Sequence, residues 1–159
     1  TFTWYRQPPP LIPWERVVEL DRSSPLRFEA HTRTHPNLCV LDDGRVRDEI
    51  AGGKADLEER LGRIVDAFCY PAGLFGPRER ALVEDAGFRT AVSCEPGVNT
   101  RATDPLALRR IQIDASDTLL DFRAKLLGGH DAPLRLRTAW RRRRYGAGSG
   151  SPRAASSSR

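Results

Sequence analysis

The chain has 159 residues, 39% of them hydrophobic and 30% charged, which suits one domain of ordinary size with a core of its own. No apolar run approaches the roughly 20 residues that a membrane-spanning helix needs, and three widely separated cysteines, Cys39, Cys69 and Cys94, suggest neither a disulfide framework nor a thiolate zinc site. The formal charge of +5 belongs to one end: from Pro133 onward eight arginines stand against no acid, leaving residues 1–132 at −3.

The chain begins at Thr1 and contains no methionine, so further sequence is expected upstream, where any signal peptide would also lie. Residues 1–13 read as the end of a strand and a proline-rich loop, and Pro13 to Leu20 as a short helix carrying Trp14, Val17 and Val18. Alternation in Leu26-Arg27-Phe28-Glu29-Ala30 predicts a strand with one buried face. Asp42 or Asp43 caps a long helix from about Arg45 to Asp66, with Ile50, Leu57, Leu61, Ile64 and Val65 on its stripe and Gly52-Gly53 weakening its middle. Ala67 to Tyr70 reads as a strand. Pro77 opens a helix that runs to Ala86, and Gly87 closes it before a strand from Phe88 to Cys94. A strand from Leu108 to Ile113 precedes a helix capped at Ser116 and stopped at Gly128-Gly129. Strands spaced by helices predict parallel pairing with right-handed crossovers. Residues 14–132 therefore form the folded domain, and residues 133–159 a basic helix and a disordered tail whose Gly, Ser and Arg content cannot build a core.

His31-Thr32-Arg33-Thr34-His35-Pro36 is the stretch richest in chemistry. Two imidazoles four residues apart in a single helical turn share a face, and Pro36 keeps a regular helix from running through them. Such a pair offers half of a four-coordinate site for a borderline divalent cation, the rest to come from a carboxylate and water. The same spacing also suits two polar loop residues that satisfy backbone groups.

The order of motifs resembles the polysaccharide deacetylases with the NodB-homology domain, carbohydrate esterase family 4. His31 to Pro36 matches that family's H-[S/T]-x-x-H-P, Phe68-Cys69-Tyr70-Pro71-Ala72-Gly73 stands where its F-R-P-P-Y-G-like motif falls, and Pro77 to Phe88 matches a P-x-x-x-x-x-L-x-x-x-A-G-F helix and turn. The resemblance covers about Trp14 to Leu127. It implies an α/β fold, an incomplete, deformed (β/α) barrel, and hydrolysis of an acetyl amide or ester on an acetylated carbohydrate with one divalent metal, zinc foremost. His31 and His35 would be metal ligands, the Ala72 backbone N–H an oxyanion donor, and Tyr70 and Pro71 the lining of the acetyl groove.

Departures from the family are specific. Its T-F-D-D motif, which carries a metal-ligating and a general-base aspartate, is absent. Leu41-Asp42-Asp43-Gly44 resembles it in letters but reads as a helix cap, and Thr1-Phe2-Thr3 reads as the end of the barrel's second strand. No general base is therefore assigned. Cys69 stands where an arginine is common, Arg110-Ile111-Gln112-Ile113 lacks the histidine of the late L-x-I-H motif, and His130 reads as an exposed loop residue. Two other readings stand beside the hydrolase: a degenerate relative that binds carbohydrate without turnover, and a binder of acidic partners through Arg141 to Arg144. Against the latter, nucleic acid is not the expected partner, because no reading module accompanies the arginines. Three unpaired cysteines favour a reducing, cytoplasmic setting, and a barrel without its first strands is expected to leave a sheet edge open to self-association.

Overall fold

The computed structural model describes residues 11–128 together with Ala139, Trp140, Arg143 and Arg144. Thr1 to Thr3, His130 and nearly all of the arginine-rich end lie outside the described residues, as do the expectations attached to them.

Helix α1, Trp14–Ser23, begins at Pro13 as the sequence predicts and closes with the Ser24 N–H on the Leu20 carbonyl. Its one fully buried residue is an acid, Asp21. That carboxylate receives Nε and Nη2 of Arg63 at 2.8 and 2.7 Å and the Phe28 N–H at 3.0 Å. The expected strand Leu26–Ala30 is reduced to a single parallel bridge, Ala30 with Phe68. Side chains have taken the groups that a ladder would use: the Phe28 N–H goes to Asp21, the Phe28 carbonyl to Arg63 at 2.8 Å, and the Ala67 N–H to Glu29 at 3.1 Å.

Asp42 caps α2, Asp43–Arg47, by accepting the Arg45 N–H at 2.9 Å. The helical path continues through a π-helical segment, Asp48–Gly52, into α3, Gly53–Leu61, so the glycine pair does not break it. The expected helix to Asp66 is corrected: Gly62, at φ 68°, takes the left-handed C-terminal position and sends its N–H to the Glu58 carbonyl at 2.8 Å, and Ile64 beyond it is exposed.

Strands β1 (Ala67–Cys69), β2 (Thr90–Pro96) and β3 (Leu108–Arg110) form a parallel sheet in that order, with Phe68 opposite Ala91, Cys69 opposite Val92, and Val92 opposite Leu108. Helix α4, Pro77–Asp85, crosses between β1 and β2, its first turn closed by Glu79 accepting the Gly76 N–H at 2.7 Å. Helix α5, Leu119–Leu126, is capped by Thr118 with Asp121 and not by Ser116, because only Thr118 stands three residues before an acid that can return the bond. Phe68 and Ala91 face Val46, Ile50, Leu61, Val65, Val83 and Phe88 in the core on the helical side. On the other face Cys69, Val92 and Cys94 are half-buried, and among the described residues the sheet does not close into a barrel. The open α/β sheet is the incomplete barrel that the motif order implies.

Candidate functional site

The Ala30 bridge fixes where the histidine loop begins. Ala30 donates to the Ala67 carbonyl at 3.2 Å and accepts from the Cys69 N–H at 2.9 Å, so residue 31 emerges beside the C-terminal end of β1. His31 Nδ1 then lies 2.5 Å from the Cys69 carbonyl oxygen. A carbonyl can only accept, so Nδ1 donates to it, and in the neutral imidazole Nε2 is the nitrogen left with a lone pair for a ligand. The His35 ring meets the His31 ring edge to face, centroids 4.8 Å apart, and both are exposed. The two imidazoles expected to converge therefore do so on one loop.

That turn is tight. Thr32 and His35 both have left-handed backbones, φ 67° and 60°, a conformation rare for a β-branched residue and retained only where the surroundings over-determine it. Here they do. Thr32 Oγ1 accepts the His35 N–H at 3.0 Å, and Glu49 accepts the N–H groups of Arg33 and Thr34, each at 2.9 Å, and the Thr34 hydroxyl at 2.6 Å. Burial works against the Glu49 carboxylate, but these donors outweigh it and hold its pKa below the ordinary value. Arg33 grips Asp56 through Nε and Nη2 at 2.7 and 3.0 Å and Asp48 through Nη1 at 2.8 Å. The hydrogen bonds that Arg33 donates to Asp56 raise the Arg33 pKa and lower that of the Asp56 carboxyl in return.

Gly52 and Gly53 let this happen. A Cβ on Gly52 would fall 2.6 Å from the Arg33 guanidinium carbon, and one on Gly53 would fall 3.1 Å from the Thr32 carbonyl carbon. The pair that the sequence presents as a weakness of the helix is the floor on which the histidine loop rests. The π-helical segment delivers Asp48 and Glu49 to that loop, a placement in keeping with the association of such turns with functional sites. One cavity of about 480 Å³ opens on the Glu49 side, lined by Thr34, Pro36, Leu41, Arg45 and Asp48, and another of about 430 Å³ on the His31 side, lined by Trp14, Val17, Phe28 and Thr32.

The second motif sits at the end of β1. Ala72 has φ 54° within the Pro71–Gly73 turn and is half-buried. Gly73, at φ 67°, is pressed against β2, since a Cβ there would lie 2.4 Å from the Cys94 nitrogen. Tyr70 and Pro71, expected to line a groove, are fully buried in this chain. Tyr70 stacks on Phe75 at 4.2 Å and donates its hydroxyl to the Leu106 carbonyl at 3.0 Å, and burial pushes its phenol pKa up. Their side chains shape the Ala72 turn and offer no surface to a ligand.

Donor chemistry suits a divalent cation, for two imidazoles with one oriented by a carbonyl are the usual first half of such a site. In number they fall short: among the described residues no group of three or more His, Cys, Asp and Glu side chains could hold a metal ion. Asp42 is engaged in its cap, which lowers its pKa, and Asp43 faces Arg78 at 3.3 Å. Glu49, Arg33, Gly52 and Gly53 are what the sequence reading missed, and the only signal it held was a glycine pair inside an otherwise strong helical pattern.

A sequence profile described as polysaccharide deacetylase matches residues 6–91. Among curated proteins no sequence matches the chain. Among solved structures it resembles the deacetylase PplD of Streptococcus pyogenes in complex with acetate, with a TM-score of 0.67 and 20% identity over 72% of this chain and 50% of that one. A polysaccharide deacetylase from Bacillus cereus gives 0.65 and 22% over 71% and 36%, and IcaB from Ammonifex degensii 0.56 and 23% over 75% and 53%. The chain thus spans between about a third and a half of the length of these structures.

Proposed function

The chain belongs to the polysaccharide deacetylase family, and from that premise we propose that it acts as a metal-dependent hydrolase removing acetyl groups from an acetylated saccharide. The observation that carries this reading is the convergence of His31 and His35 beside the C-terminal end of β1, with His31 Nδ1 on the Cys69 carbonyl. His31 Nε2 and a nitrogen of His35 would hold the cation, zinc or a similar ion. When bound, such an ion polarises the acetyl carbonyl and lowers the pKa of the attacking water.

The chain's own groups do the rest. The Cys69 carbonyl fixes the His31 tautomer, Glu49 keeps the two imidazoles in register, and the Ala72 N–H holds the oxyanion as charge develops on the acetyl oxygen. Neither a third ligand nor a general base is assigned to a described residue. Loss of a base costs about 10²–10⁴ in rate, so, with none assigned among the described residues, metal binding with slow turnover is expected.

Titration with Co²⁺ or Zn²⁺ tests the reading. Binding should be present in the 159-residue chain and lost in His31→Ala and His35→Ala, with both variants still folded. Metal affinity indifferent to both histidines would sink it. The missing ligand group also favours a second reading, a carbohydrate binder without turnover; rapid release of acetate from acetylated chito-oligosaccharide would dismiss that one.

A further inference from the structure

Three parallel strands end on a cluster that the proposed chemistry leaves unused. Arg110 is the last residue of β3, and its side chain turns back across the sheet edge, Nε donating to the Ser93 carbonyl at 2.6 Å and Nη2 to Cys94 Sγ at 2.9 Å. The same guanidinium bears on the Cys69 thiol, whose pKa burial pushes up against the pull of that positive charge. Cys69 is the residue whose carbonyl holds His31, and Cys94 is the residue on which Gly73 of the Ala72 turn rests. Arg110 thus borders both halves of the site.

Its partners set it apart from the other well-ordered arginines. Arg33, Arg63, Arg78 and Arg80 each face carboxylates. Arg110 faces a carbonyl and the Cys94 sulfur, and among the described residues no carboxylate lies within ion-pair distance of it. A carbonyl and a thiol aim the guanidinium without neutralising it, so its planar fork keeps both charge and N–H groups for a ligand. The group is exposed and lines, with Cys94 and Ile111 to Ile113, a cavity of about 320 Å³.

We propose that Arg110 is the carboxylate-binding group of this site and receives the acetate that deacetylation releases. The inference rests on the deacetylase reading for the source of the acid. Hydrolysis joins the oxygen of water to the acetyl carbon and breaks the bond from that carbon to the sugar nitrogen or oxygen; one proton of the water goes to the freed sugar atom, and the other goes to the same amine in an amide or to solvent in an ester. What remains is an anion at the mouth of the sheet, where Arg110 supplies the matching charge.

The test is titration of the metal-free 159-residue chain with ¹³C-labelled acetate, followed by NMR at constant ionic strength with chloride as the balancing salt. Saturable binding is expected, weakened about tenfold or more in Arg110→Gln, in line with about 1.5–3 kcal/mol for hydrogen bonds to a charged group. Arg110→Lys, which keeps the charge and loses the fork, should fall between. Unchanged acetate affinity in Arg110→Gln, or no saturable binding by the folded wild type, overturns the proposal. If Arg110→Gln fails to fold, Arg110→Lys decides, and wild-type affinity there overturns it equally. A parallel titration with glucuronate separates the sources, tighter binding of the sugar acid overturning the assignment to acetate. His31→Ala keeps the two readings apart: it should lose metal and keep Arg110-dependent acetate binding, so failure of the metal reading and failure of this one give different results.

Discussion

Replacing Gly53 by alanine sets two effects of similar size against each other. In an exposed helix interior alanine is favoured over glycine by about 1 kcal/mol, and the Gly53 backbone, φ −62° and ψ −35°, suits it. Against that, the new Cβ would stand 3.1 Å from the Thr32 carbonyl carbon and 3.2 Å from the Arg33 nitrogen. A free loop would retreat by a few tenths of an ångström at little cost. This loop is held: Thr32 is already left-handed, Glu49 binds the Arg33 and Thr34 N–H groups, and the Arg33 guanidinium is fastened to Asp48 and Asp56. Loosening one hydrogen bond to the Glu49 carboxylate costs about 1.5–3 kcal/mol, which outweighs the propensity gain. Gly53→Ala is therefore expected to destabilise by about 1 kcal/mol, the difference of the two terms, and to lower affinity for Co²⁺ by displacing His31 relative to His35. Urea unfolding and a cobalt titration measure both. Gly52→Ala probes the other anchor of the same loop, because its Cβ would stand 2.6 Å from the Arg33 guanidinium carbon and drive that group off Asp48 and Asp56, so cobalt affinity should fall there too. A Gly53→Ala variant that is about 1 kcal/mol more stable, as propensity alone dictates, with metal affinity unchanged, would refute the seating of the loop on this helix.

Three other outcomes are expected. Glu49→Ala removes the common acceptor of the Arg33 and Thr34 N–H groups and of the Thr34 hydroxyl, and should cost about 2 kcal/mol in urea unfolding and weaken cobalt binding. Asp21→Asn breaks the pair with Arg63 and should cost about 3 kcal/mol; because the Arg63 hydrogen bonds hold the Asp21 carboxyl far below its ordinary value, this stabilisation is full above the unfolded-state pKa of about 3.9 and fades as pH falls toward the folded one, so wild type and variant should converge in acid melts. Tyr70→Phe leaves the Leu106 carbonyl without its donor in the core and should cost about 1–2 kcal/mol by the same unfolding assay, with metal binding unchanged.

Local patterns carried most of what the sequence made legible. Pro13 and Pro77 open their helices, Asp42 caps, and the two histidines meet, each because its signal is confined to a few neighbouring residues. Most of the losses are long-range. Leu26–Ala30 alternates as a strand should, yet Asp21 and Arg63, which lie outside the segment, take the Phe28 backbone groups. Gly62 ends α3 by a mark that periodicity in Ile64 and Val65 obscured. Within the site, the imidazoles stood out by type and spacing, whereas Glu49 and Arg33 are ordinary charged residues whose role exists only once α3 and the loop are packed together.

Helix α1 is fastened to the domain largely by charge. Its one fully buried side chain is Asp21, and the partners of that carboxylate come from Arg63 and Phe28, while Val17 and Val18 are only partly covered. An ionic fastening of this kind yields to protons and to concentrated salt well before an apolar core does. Amide exchange should accordingly reach Val17 to Leu20 sooner than Phe68 or Ala91, with α1 leaving as one unit. Its departure would unroof the cavity formed by Trp14, Val17 and Phe28 and lay bare the rear of His31, so the histidine loop would lose a wall while every bond to Glu49 stayed in place.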